Sequence, residues 1–263
     1  MALTIDFGYS DTTASWNDAR LAFLFAAKAD PNEIGKGSGP LAIADASRFV
    51  ELFECQIGLS PLGVGTYAEA VGGDNPDAGA VERAAEARAR GMFPVVIGDD
   101  RRITDLGCRD PLVALWGKLG RIEVDEAAIL SRSNPAILAG VRAATANAFQ
   151  SVPGNVTILT ATALAQRKDL FKEALTRIMA PVHLSIDLDV LAPAVAQTTR
   201  SLEPGGLGWY DLMDLLEMVF EGPGVAAVDL VGTALVGPRT PAALLGSQIL
   251  LRVAGLLAVG MGK

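Results

Sequence analysis

The stretch Val182-His183-Leu184-Ser185-Ile186-Asp187-Leu188-Asp189-Val190 decides how this chain is read. Residues 182–188 form one of a set of short β-rich runs, several of which are apolar almost without break, as strands buried on both faces are. The run ends on two acids spaced i and i+2, which a strand turns to the same side. Comparable short runs recur at residues 3–7, 93–97, 156–159 and 225–231, with helical segments between them. Such alternation builds βα units around a parallel sheet, so the expected fold is α/β, a three-layer αβα arrangement with a mainly parallel central sheet.

The helices carry their own punctuation. Gly39-Pro40 opens a segment over 41–54, and Asn75-Pro76 caps one that stops at Gly91. A third covers 168–179. Leu212, Leu215, Leu216 and Val219 form one face of a fourth over 210–220, and Thr240-Pro241 opens the last. Residues 10–38 are polar around the apolar island 21–27 and predict a loop with one short helix.

Half of the 263 residues are hydrophobic and 20% are charged, which excludes a disordered or collagen-like chain. With no linker-like stretch in the pattern, one domain over 1–263 is expected. The net charge of -8 lacks the positive field that nucleic-acid binding requires. Cys55 and Cys108 form no CxxC, suit a reducing cytoplasm and read as ordinary buried thiols. The first residues have no basic region and include Asp6, so no signal peptide is expected. Residues 241–259 are the most apolar, but Ser247, Gln248 and Arg252 interrupt them, which predicts a core helix rather than a membrane span.

Ligands of open α/β sheets gather beyond the carboxyl ends of the strands. Three segments fall there: Gly98-Asp99-Asp100-Arg101-Arg102, the pair Asp187 and Asp189, and Glu203-Pro204-Gly205-Gly206-Leu207. Two same-side carboxylates can begin an oxygen-ligand metal site. The same pair can equally be held by basic neighbours or helix N-termini, and spacing alone leaves both readings open.

Ser185-Ile186-Asp187-Leu188-Asp189-Val190-Leu191-Ala192-Pro193, followed by Ser201-Leu202-Glu203-Pro204-Gly205-Gly206-Leu207, resembles the ureohydrolase (arginase, agmatinase, guanidinase) signature SxDxDxxDP…TPEPGGL. The segment from Pro94 to Thr104 falls where that family has PLVLGGDHSIT. Ser131-Arg132-Ser133-Asn134-Pro135 resembles its SHGTP, and Asp229-Leu230-Val231-Gly232 its DVVE. The resemblance implies the arginase-like fold and, in active members, two Mn or Ni ions on six protein ligands that generate an attacking hydroxide.

Carried over position by position, the ligand set is broken. Arg101 stands at the histidine of GGDHS. Asp187 and Asp189 match two ligand aspartates, while Ala192 stands at the motif's third acid. No DAHxD motif exists, and the best register puts Trp116, Lys118 and Gly120 at its ligand positions. The one histidine, His183, lies inside a strand pattern and reads as a packed sheet residue. Arg132 replaces the SHGT histidine and Gly232 the DVVE acid. Glu203 matches the glutamate that contacts the guanidinium group, a candidate substrate-binding residue beside a Pro204-Gly205-Gly206 turn.

Two buried aspartates without their cations need another positive charge. The expectation is therefore an ion-pair cluster of Arg101, with help from Lys118, on Asp187 and Asp189. No catalytic residue and no metal are expected in this chain. The resemblance implies a silent cytoplasmic subunit, in a trimer or hexamer with an active ureohydrolase paralogue carrying Ni or Mn, as in the two-gene metformin hydrolases. Nucleic acid and membrane are not expected partners. Two alternatives stand beside it: an enzyme of altered chemistry holding one ion on Asp187, Asp189, Asp100 and Glu203, and a regulatory module binding a guanidinium compound.

Overall fold

The computed structural model describes residues 2–8, 14–28, 38–120, 124–133, 135–196, 203–233, 237 and 239–261. In chain order the first elements are β1 (Ala2–Thr4), β2 (Leu21–Ala26), α1 (Gly39–Ala46), β3 (Thr66–Val71), α2 (Pro76–Ala89) and β4 (Phe93–Ile97). Next come α3 (Arg102–Gly107), β5 (Leu112–Leu115), β6 (Lys118–Leu119), α4 (Glu126–Arg132), β7 (Ala136–Val141), β8 (Ala143–Ala144) and α5 (Ala146–Gln150). The chain continues with β9 (Thr157–Thr160), α6 (Ala161–Gln166), α7 (Asp169–Leu175), β10 (Val182–Asp187), α8 (Trp209–Glu221), β11 (Val225–Val231) and α9 (Pro241–Met261). They fall into two compact units, residues 1–99 with 233–263 and residues 100–232.

The first unit carries strands in the order β1-β3-β2-β4. β2 runs parallel to both β3 and β4, and β1 lies antiparallel on β3. The island at 21–27 is therefore a strand, correcting the short helix expected there. Leu-Ala-Phe-Leu-Phe-Ala is apolar on both faces, a pattern whose periodicity does not separate a short helix from an inner strand. Pairing along both edges settles it. Phe23 and Phe25 are fully buried beside Phe7, whose ring centroid is 4.7 Å from that of Phe23. β3 had not been expected at all.

α1 ends at Ala46, well short of the helix expected to residue 54. The Ser47 hydroxyl donates back to the Ala44 carbonyl at 2.6 Å and accepts the Gly8 amide at 2.8 Å, so the chain leaves through the 3-10 turn Ser47–Phe49. Phe49 and Phe53 beyond it are exposed. Cys55 lies in the same exposed stretch, contrary to its reading as a buried thiol. α9 is long and apolar enough to cross a membrane by length and composition, and most of that stretch is buried. Its Ser247 hydroxyl donates to the Ile43 carbonyl of α1 at 2.6 Å, and Arg252 pairs with Glu54.

The second unit carries five parallel strands in the order β11-β10-β5-β7-β9 and a small parallel pair, β6-β8. β5 and β7, each short and apolar, were not foreseen as separate strands. Trp116, Leu112, Leu138, Ile129 and Leu130 pack one core cluster, which also takes in Cys108. Burial pushes the Cys108 thiol up to about 11, so this cysteine is inert at neutral pH.

Gly39 illustrates how tightly α1 is seated. A β-carbon there would stand 1.8 Å from the Thr233 carbonyl oxygen, a backbone atom with no freedom to swing away. Gly39→Ala is expected to lower stability by roughly 1–3 kcal/mol, as overpacking does, read as a fall in the urea midpoint with unchanged slope.

Candidate functional site

The second unit's sheet builds the site from β5 and β10. The two strands pair in parallel with Ser185 opposite Ala114 and Ile186 opposite Leu115, so their carboxyl ends lie side by side. Asp187 closes β10, and its Oδ1 accepts the Asp189 amide at 2.9 Å, capping a 3-10 turn over Leu188–Val190. That turn swings Asp189 inward, where its Oδ1 accepts the Gly117 amide at 2.8 Å. Both aspartates are 1% exposed.

Between them sits Arg101, also 1% exposed, in the residue that precedes α3. Its Nε donates to Asp187 Oδ2 at 3.0 Å and its Nη2 spans both oxygens of Asp189 at 3.3 and 3.4 Å. Nη1 donates to the Lys118 carbonyl at 2.8 Å and to Glu126 Oε1. The guanidinium carbon lies 4.2 Å from the centroid of the Trp116 ring. Two faces of recognition thus meet on one planar cation: carboxylates on its edge and an aromatic face against it.

Glu126 was missing from the sequence reading. It opens α4, where an acid after the cap Asp125 looks like ordinary favourable chemistry for a helix N-terminus. Its other oxygen accepts the Gly120 amide at 2.7 Å, so the carboxylate is held at both ends. The one available signal was the charge balance around Arg101.

Lys118 does not join the aspartates as expected. It pairs with Glu203 at 3.2 Å, in a half-exposed position where water shares the solvation of both charges. Only the backbone carbonyl of Lys118 faces Arg101. A long ammonium side chain loses less by staying near solvent than by entering an already filled cluster. Asp100, the extra acid of the one-ion alternative, is held by Arg102 through contacts of 3.0 and 2.9 Å. Arg132 lies on the surface against Asp105 at 2.5 Å, and Asn134 falls outside the described residues.

A second buried network lies one step down the strands. Asp229 of β11 accepts the Ser185 hydroxyl at 2.7 Å and the Thr104 hydroxyl at 3.2 Å, and its Oδ2 is 2.6 Å from His183 Nε2. Trp116 Nε1 donates to Ser185 Oγ at 3.0 Å, so the indole joins the two networks. His183 is thus the packed sheet residue expected, held by a buried carboxylate.

The Gly-rich segment after β10 folds back onto it. Leu207 and Leu191 form a parallel bridge, with the Ala192 amide on the Leu207 carbonyl at 2.9 Å. Gly206 has φ +105° and leaves no room for a β-carbon, which would meet the Ala192 nitrogen at 2.8 Å. Arg142, another residue the sequence did not mark, donates from Nε to the Glu203 carbonyl at 3.1 Å and from Nη1 to the Asp189 carbonyl. At Gly232, φ is +80° and a β-carbon would lie 2.3 Å from Asp187 Oδ1. An acid is not merely missing there: this packing has no place for one.

This donor set does not fit a pair of ions. Arg101 fills the space between Asp187 and Asp189 with a positive charge, and no group of three or more His, Cys, Asp or Glu among the described residues could hold a metal.

Residues 124–254 match the family model described as the Arginase family. Over 254 residues the chain is 26% identical to N(1)-aminopropylagmatine ureohydrolase of Thermus thermophilus, covering 87% of this chain and 86% of that one. Among solved structures it superposes on agmatine ureohydrolase of Thermoplasma volcanium with a TM-score of 0.76 at 17% identity, covering 96% and 94% of the two chains. Arginase from Bacillus subtilis gives a TM-score of 0.69 at 15% identity, covering 89% and 98%. With its α/β fold, its mostly parallel sheet flanked by helices and its surviving SxDxD strand end, this chain belongs to the arginase, or ureohydrolase, family.

Proposed function

We propose that this chain is a catalytically silent ureohydrolase-fold subunit that assembles with an active paralogue carrying Ni or Mn, a partner that hydrolyses a guanidine or biguanide compound as the metformin hydrolases do. One observation carries the reading. At the position corresponding to a ligand histidine, a single buried guanidinium pairs with Asp187, Asp189 and Glu126.

The physical case is a matter of charge. Buried carboxylates without a counter-charge cost several kcal/mol each, and in this fold the counter-charge is covalently tethered rather than recruited from solution. A divalent ion entering the same space would meet a fixed positive charge in contact with both of its prospective ligands. That repulsion also weighs against the one-ion alternative. Glu203 retains a carboxylate at the surface, and its pairing with Lys118 gives it a structural partner in place of a substrate.

The reading is tested by metal analysis and mass determination on the chain alone and after co-expression with an intact ureohydrolase encoded beside it. The expected result is no stoichiometric Mn or Ni in the lone chain, and a heteromer whose ions and turnover disappear when the partner's own ligands are substituted. Stoichiometric metal with turnover in the lone chain would overturn it.

Arg101 supplies an independent check. Arg101→Met should cost about 3–5 kcal/mol in urea unfolding because it strands three buried carboxylates. Arg102→Met, whose side chain is exposed on Asp100, should cost no more than about 1 kcal/mol. Equal stability of the two variants would remove the structural role assigned to Arg101.

A further inference from the structure

We draw no further inference here: the strongest candidate, the apolar groove lined by Leu175, Ile178 and Met179 between α7 and α8, carries nothing, because Asp214 on its wall is already paired with Lys168, Lys172 lines it beside the acids, and nothing in the structure shows what covers it.

Discussion

Two carboxylates leave the end of a central strand and point into protein, and everything around them is arranged to make that tolerable. Asp187 and Asp189 are separated by one residue at the β10 terminus, both nearly inaccessible to water. A buried anion survives by accepting hydrogen bonds and by facing a cation. Here the amides of Asp189 and Gly117 supply the first, and the Arg101 guanidinium supplies the second. The turn after β10, the position of Trp116 and the start of α4 all follow from seating that guanidinium.

The planar cation also explains why the cluster spreads over distant segments. An ammonium would satisfy few acceptors in a fixed plane, whereas a guanidinium presents five donors in a rigid fork. Arg101 uses its fork on β10, on the carbonyl of Lys118 and on Glu126 of α4, with an indole against its face. Trp116 passes the constraint on through Ser185 to Asp229 and His183. Arg101 thus acts as a hydrogen-bonded, ion-paired crosspiece between elements of one unit.

Much of the architecture was legible beforehand. The strand runs around 93–97, 182–188 and 225–231 and the helices at 76–89 and 209–221 stand where periodicity, Asn-Pro capping and the leucine face of α8 put them. The strand at 21–26 was misread, because six apolar residues in a row satisfy a helix and an inner strand alike. Helix α1 stopped early at Ser47, whose hydroxyl bonds to the backbone and competes with helix continuation. Cys55 was assigned to the interior on residue type alone, and its exposure follows from the turn that carries it.

The candidate site divides along the same line. The sequence by itself determined the family likeness, the two surviving aspartates, the arginine in place of a histidine and the shortage of imidazoles, since each is a matter of residue identity at a spaced position. Only the tertiary structure decided that Glu126 completes the charge cluster, that Lys118 turns to Glu203, that Arg142 ties the strand-end carbonyls, and that Gly232 has no room for an acid. Those facts depend on which groups meet across separations of 25 to 85 residues. Local spacing carries no record of such meetings, because packing distributes charge by proximity in space and by access to water, neither of which is a property of a residue's neighbours in the chain.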